Sequence, residues 1–324
     1  MPSCCLQHKE DLIIKIILRV LLFSLILAGS YLALQSLTGC SSAPRRPVEN
    51  FTQRNIASNQ LGLANQAANQ GRYEDAFVFL SEARRLAILS DDPALRVETS
   101  MSRAGILFSM GRTEEAFLEW EVAGEEARAF NLNELAALCR VYSIRARLTI
   151  LDNEGSSLVD VYRESLENLV IGYRSTLERD ANIFARNSHS IAAHYVTVGL
   201  AEKILGNWST AENYAAMALT IHERGNFLED AAYDWFLIGS IRAGAGNYEG
   251  ALEALNRSIE FDRRAENSFG LASSWQAVGD VESRLGRIPE SNAAWLRAVE
   301  IFRAMGLLDR AHRLELRITG SAYQ

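Results

Sequence analysis

The sequence predicts an all-α protein in which a pair of antiparallel helices repeats along the chain. Five glycines carry this prediction, because the intervals from Gly71 to Gly111, from Gly206 to Gly246 and from Gly246 to Gly286 are each 40 residues. A small residue, alanine or serine, stands five positions after every one of them. Such a period is typical of arrays built from one supersecondary unit. The chain also has only five prolines in 324 residues, so long helices are seldom interrupted.

Composition limits the classes of function. The chain is 48% hydrophobic and 23% charged, which supports a packed core and excludes a protein that is disordered throughout. Its formal net charge is −7. Binding to phosphates needs a basic face that this balance does not supply, so we expect no nucleic-acid partner.

The first 39 residues differ from the rest. Lys15 and Arg19 precede an apolar run at 20–34, and a polar segment containing two prolines follows at 41–50. This order predicts a signal peptide that opens onto a tether. An uncleaved membrane helix from Leu12 to Leu34 is the alternative, since that length spans about 30 Å of hydrocarbon.

The segment Leu37-Thr38-Gly39-Cys40 resembles the lipobox of bacterial lipoproteins. The resemblance implies that residues 1–39 are removed and that Cys40 becomes a lipid-modified N-terminus at the start of a tether, 40–50. Ser41 and Ser42 lack the aspartate that holds many Gram-negative lipoproteins in the inner membrane. The resemblance therefore implies a lipid-anchored protein of the cell envelope, which in a Gram-negative cell lies at the outer membrane and faces the periplasm. Cys139 would then be the single remaining thiol, and its apolar neighbours indicate a core residue.

The repeat extends beyond the glycines. The residue seven positions before each glycine is small, and a large aromatic residue stands four positions earlier in the last three copies. These pairs are Tyr195 with Gly199, Trp235 with Gly239 and Trp275 with Gly279. Positions four apart share one helix face, so a ring beside a small residue predicts two helices that approach closely.

The combined pattern resembles the tetratricopeptide repeat in a 40-residue form. The resemblance covers residues 51–306 and implies a right-handed superhelical α-solenoid of about six antiparallel helix pairs. The long interval between Gly111 and Gly206 predicts one more pair, with helices at 132–151 and 158–177 and an insertion near 178–188. An apolar pattern from Leu308 to Ile318 predicts a capping helix within the C-terminal segment 307–324.

Motifs that carry chemistry are missing from the sequence. It has no phosphate-binding glycine loop, no Gly-x-Ser-x-Gly turn and no His-Glu-x-x-His. We therefore predict neither an enzymatic activity nor a cofactor. His189, His194 and His222 are the candidates for a metal site, but no carboxylate or thiol stands at ligand spacing beside them in the sequence. The expectation is that the chain holds no metal.

The resemblance to tetratricopeptide repeats implies that a partner lies on the concave side, which the first helix of each pair lines. Residues in register with the turn glycines define this predicted groove: Leu61, Asn65, Met101, Phe108, Val196, Leu200, Lys203, Ile204, Tyr233, Phe236, Ser240, Gln276, Asp280 and Arg284. The alternative is that some of these side chains only pack against a neighbouring repeat. A single lysine after Cys40 disfavours a carboxylate clamp, so we expect a helix or an extended peptide in apolar pockets.

The function that this sequence favours is a lipid-anchored scaffold in the cell envelope, which binds a partner protein or peptide and no small-molecule substrate. An anchor and a long groove serve such a task without any chemistry. Two alternatives remain open. One is an enzyme, or an accessory of an enzyme, that acts on cell-wall material, although Asp280 is the only acid in the groove rows. The other is a regulator held by an uncleaved membrane helix.

Overall fold

The computed structural model describes residues 52–154 and 188–321, together with 164–165, 167–168 and 171–172. Residues 52–154 and 188–321 form twelve helices and no strand. They are α1 (Thr52–Asn69), α2 (Tyr73–Leu89), α3 (Pro93–Ser109), α4 (Thr113–Ala129), α5 (Asn133–Glu154), α6 (Ser188–Ile204), α7 (Trp208–Gly225), α8 (Leu228–Gly244), α9 (Tyr248–Ala265), α10 (Ser268–Arg284), α11 (Ile288–Ala304) and α12 (Leu308–Ser321). None of these helices combines the length and the apolarity needed to cross a bilayer.

Several predicted segments lie outside the described residues. They are the signal peptide at 1–39, the tether at 40–50 with Cys40, and most of the helix at 158–177. The predicted insertion at 178–188 is also outside them, except that Ser188 begins α6.

Consecutive helices pack as antiparallel pairs: α1 with α2, α3 with α4, α6 with α7, α8 with α9, and α10 with α11. The first helices of adjacent pairs also contact one another, as α1 contacts α3 and α8 contacts α10. Helix α12 packs on α11 and ends the array, as the capping-helix prediction requires, but it is longer than predicted and reaches Ser321. The predicted all-α solenoid is confirmed.

The five repeated glycines end the first helix of each pair. All have a φ between +74° and +84°, a left-handed conformation that costs glycine little because it has no Cβ. At Gly206, the glycine N–H donates to the Lys203 carbonyl and the next N–H, of Asn207, donates to the Glu202 carbonyl. These bonds satisfy the carbonyls left open at a helix end.

The turns between pairs use a second left-handed residue. Asp91, Asn131, Asn226 and Glu266 have φ values between +51° and +57° there, and Gly306 takes the same place before α12. Asparagine and aspartate tolerate this conformation better than most residues do. The turns within pairs and the turns between pairs therefore both recur with the period of the repeat.

The row of small residues marks where the two helices of a pair touch. A methyl group on Gly279 would lie 2.4 Å from Cδ1 of Trp295, and one on Gly239 would lie 2.8 Å from Cγ of Leu255. Ala64 takes the corresponding place in the first pair and is fully buried. The predicted close approach is confirmed, and Cys139 is buried in the core as the sequence indicates.

The first pair of helices meets the C-terminal pairs. The α1–α2 turn carries Gly71, where an added methyl group would lie 2.6 Å from the Met305 side chain in the α11–α12 turn. Beside it, the Asn69 amide donates to Glu229 at 2.8 Å and the Gln70 amide donates to Glu266 at 2.8 Å. The stacked pairs thus curve enough to bring the α1–α2 turn against the starts of α8, α10 and α12.

Candidate partner-binding surface

An arginine held between two tyrosine rings marks the inner face of the array. The guanidinium carbon of Arg145, on α5, lies 4.6 Å from the ring centre of Tyr142 and 5.4 Å from that of Tyr233. Tyr233 belongs to α8, and α6 packs against both α5 and α8. Side chains of non-neighbouring first helices therefore meet on one surface, as the concave side of a curved stack requires.

The α1–α2 turn adds to this surface. Glu229, in the first turn of α8, accepts the hydrogen bond from Asn69 and experiences the charge of Arg145. We refer to Asn69, Tyr142, Arg145, Glu229 and Tyr233 as the central cluster. It joins residues of α1, α5 and α8, which lie far apart in the sequence.

Burial and neighbouring charges together set the electrostatics of the central cluster. Desolvation raises the pKa of Glu229, and the nearby Asp230 raises it further, while the bond from Asn69 and the charge of Arg145 lower it. Burial also raises the pKa of Tyr142 and of Tyr233, so both phenols stay neutral. Arg145 supplies five N–H donors in a planar fork.

Three of the predicted groove residues lie in a row along α8, beginning with Tyr233 of the central cluster. The ring centres of Tyr233 and Phe236 are 6.2 Å apart, and Ser240 follows one turn later. All three are partly exposed. The structure thus brings together the α8 part of the predicted groove as one stripe that is partly exposed, while Tyr233 and Phe236 also pack against core clusters.

The predicted residues on α1 and α3 are divided between surface and core contacts. Asn65 is exposed. Leu61 and Met101 are half-buried and pack against core clusters. Phe108 is also half-buried, with its ring centre 6.1 Å from that of Trp120. These side chains support the helix pairs and leave only part of their surface to a partner.

The predicted groove is wrong at three positions on α6. Val196, Leu200 and Ile204 are 1%, 3% and 9% exposed and belong to the core cluster that joins α6 to α7 and α8. Because α5, α7 and α8 all pack around α6, the face that was assigned to the groove is covered. Packing against neighbouring repeats is therefore the correct interpretation here.

Two charged groove residues are already paired within the chain. Lys203 is 9% exposed, and its Nζ lies 2.5 Å from a carboxylate oxygen of Asp152. Asp280 accepts a hydrogen bond from Trp295 Nε1 at 2.8 Å and pairs with Arg317 at 2.8 Å. Burial raises the pKa of Asp280, and these two partners oppose the rise.

The remaining groove predictions lie on α10. Gln276 is half-buried, and Arg284, at the C-terminal end of the helix, is exposed. Arg284 is therefore accessible to a partner.

Two aspartates that the sequence analysis did not connect with the candidate histidines lie beside them in the structure. His189 and His222 lie near Asp230, and His222 contacts Asp234. No carboxylate stands at ligand spacing beside these histidines in the sequence. The two aspartates that meet them come from α8, the helix after the one that carries His222. Spacing along one helix gives no sign of such a contact.

Comparison with known proteins gives a fold and no family. No family profile matches the sequence, and no curated protein matches it. Among solved structures, a Rap protein complexed with competence and sporulation factor matches with a TM-score of 0.51 and 18% identity, over 82% of this chain and 74% of that chain. The apo form of RapI matches with a TM-score of 0.44 and 14% identity, over 83% of this chain and 72% of that one. The first likeness agrees with the all-helical repeat fold, so the chain is a helical-repeat protein of the α-solenoid class.

Proposed function

We propose that this protein is a scaffold that binds a partner protein or peptide on the inner face of its helical-repeat array. The observation that carries the proposal is Arg145, which is held between Tyr142 and Tyr233 from two different parts of the stack. Phe236 and Ser240 extend the same surface along α8 and stay partly exposed. The solved complex of a Rap protein with competence and sporulation factor, on a similar fold, supports this class of function.

The chemistry of the surface defines the partner. A guanidinium that is fixed by aromatic rings suits bidentate contact with a carboxylate, and such a contact orients a ligand more than it adds affinity. The rings of Tyr233 and Phe236 offer the larger apolar area, which supplies most of the binding energy at interfaces. We therefore expect a helical or extended segment with an acidic residue or a C-terminal carboxylate beside an apolar anchor.

The location is the second part of the proposal. Lipidation of Cys40 would hold the array at the envelope surface through the tether at 40–50, facing the periplasm in a Gram-negative cell. Restricting the array to one surface raises its effective concentration for partners there. The lipobox resemblance at Leu37-Thr38-Gly39-Cys40 supports this part.

The anchor is tested with Cys40→Ser. We expect this variant to lose acyl labelling and to remain at the size of the precursor, whereas Cys139→Ser should be labelled and processed normally. Unchanged size and membrane association of Cys40→Ser would instead support the uncleaved membrane helix.

Binding is tested by affinity purification of the lipidated protein from its own envelope, with Arg145→Gln and Phe236→Arg as the test variants. Each should lose the partner while far-ultraviolet circular dichroism is unchanged. Arg257→Gln is the matched control, because Arg257 is an exposed arginine on α9 that pairs with Glu260. Retention of the partner by both test variants would place the binding site elsewhere.

A further inference from the structure

Three ligand-type side chains meet where the ends of three helices come together. His189 lies in the first turn of α6, His222 in the last turn of α7 and Asp230 in the first turn of α8. One ligand atom from each lies within 4.8 Å of the other two. The centres of the imidazole rings are 5.5 Å apart, and His189 Nδ1 is 3.9 Å from Asp230 Oδ2.

His222 is already oriented by a carboxylate. It is 2% exposed, and its Nδ1 lies 2.6 Å from Oδ2 of the fully buried Asp234. In the tautomer that donates this hydrogen bond, Nε2 carries a free lone pair. Within the part of the chain that the structure describes, no group hydrogen-bonds to this buried nitrogen. A buried acceptor without a partner costs free energy, and a ligand bound to Nε2 would remove that cost.

This arrangement is the one that protein metal sites use. Histidines that bind a metal commonly give their other ring N–H to a carboxylate, which fixes the tautomer and directs the free nitrogen at the ion. Asp234 does this for His222, and His189 and Asp230 each bring a ligand atom within 4.8 Å of one on His222.

We propose that His189, His222 and Asp230 bind a zinc-type divalent cation, with Asp234 as the residue that positions His222. Two imidazoles and one carboxylate are a donor set that zinc accepts, with a fourth place left for water. Calcium and magnesium prefer oxygen ligands throughout and fit this set poorly.

Binding of zinc requires a small movement of the three side chains. Bonds of about 2.0–2.2 Å bring ligand atoms to about 3.5 Å from one another, so the three side chains must converge by about an ångström. His189 and Asp230 are only partly buried and can make this movement. A bound ion would tie α6, α7 and α8 together next to Glu229 of the central cluster, although the proposal does not depend on partner binding.

The test uses the full chain, purified without an affinity tag and treated with a chelator that is then removed. Titration with zinc chloride in a calorimeter should show one site per chain and a rise in the melting temperature, while calcium chloride should produce neither. Cobalt(II) should give visible ligand-field bands of a tetrahedral site, which zinc should abolish. Absence of saturable zinc binding would overturn the proposal.

Matched variants locate the site. His189→Gln and Asp230→Asn change partly exposed residues, so they should fold and lose zinc affinity by at least about tenfold. Asp234→Asn should weaken zinc binding by about 10–100-fold, the usual effect of losing a residue that orients a ligand. His312→Gln is the control, because His312 is exposed on α12 and should bind zinc as the wild type does. If His189→Gln and Asp230→Asn bind zinc as tightly as the control, then His222 and Asp234 are only a buried hydrogen-bonded pair.

Discussion

The first two helix pairs and the three C-terminal pairs follow the same repeat with different core residues. Seven positions before the turn glycine, the first two pairs have the buried alanines Ala64 and Ala104, whereas the last three have glycine. Sixteen positions after the turn glycine, the first two pairs have Ala87 and Ala127, both fully buried. The C-terminal pairs have larger side chains there, namely His222, Asp262 and Phe302, which are also buried. One backbone geometry thus accepts a plain alanine core and a core with bulky and ionisable groups.

The largest expected effect comes from filling the glycine row. Gly279→Ala and Gly239→Ala should each lower the free energy of unfolding by about 1–3 kcal/mol, because the methyl group overlaps Trp295 or Leu255. Chemical denaturation measures this loss. Gly105→Ala in α3 is the control, since nothing lies within 4 Å of its added methyl group, and it should gain about 0.5–1 kcal/mol. An equal loss in all three variants would mean that overlap with Trp295 or Leu255 is not the cause of the loss.

The next effect tests the contact between the two regions. Gly71 and Gly111 have similar φ values of +76° and +84°, so alanine at either position costs about 1–2 kcal/mol of backbone strain. Only the Gly71 methyl group also meets Met305. Gly71→Ala should therefore be less stable than Gly111→Ala, by about 1 kcal/mol in urea denaturation. Met305→Ala should remove most of this difference in a double-mutant cycle. Equal stabilities of the two glycine variants would show that the first pair does not touch the last.

A further effect concerns pH and comes from a buried carboxyl group in the C-terminal pairs. Asp262 is 2% exposed and accepts a hydrogen bond from Asn267, and burial raises its pKa to about 7. The carboxyl of an unfolded chain has a pKa of about 3.9, so between these values the folded state binds the proton more tightly. The contribution of Asp262 to stability is therefore present at low pH and is lost as pH rises from about 4 to about 7.

Melting temperatures across this pH range measure the effect of Asp262→Asn. The amide keeps an oxygen acceptor for Asn267 and cannot ionise, so the variant should show a flatter pH profile and a higher melting temperature than the wild type above pH 7. The same profile in both proteins would mean that Asp262 titrates as it does in water.

The repeat could be predicted from the sequence because its key positions select residue types locally. A left-handed turn selects glycine at Gly206 and Gly246, and a close crossing of helices selects glycine at Gly239. The accessible surface could not be predicted in the same way. Whether Leu200 faces a groove or a core depends on how α5, α7 and α8 surround α6, and this curvature is not encoded at any single position.

The aspartates that meet His189 and His222 could not be predicted from the sequence for a similar reason. Asp234 is twelve residues from His222 and meets it only because α7 and α8 are antiparallel. The contact of Asn69 with Glu229 spans 160 residues and likewise depends on the summed curvature of several pairs.

The most direct test of the curved array is a distance between its first pair and α8. Spin labels at Asn69→Cys and Glu229→Cys, with the native cysteines replaced, report this distance by pulsed electron resonance. Since the two native side chains are hydrogen-bonded, we expect one short distance, below about 20 Å. Packed helices lie about 8–10 Å apart, so an array that stays open would place these labels roughly 30 Å apart or more. A distribution centred at that longer distance would show that the array does not curve back on α8.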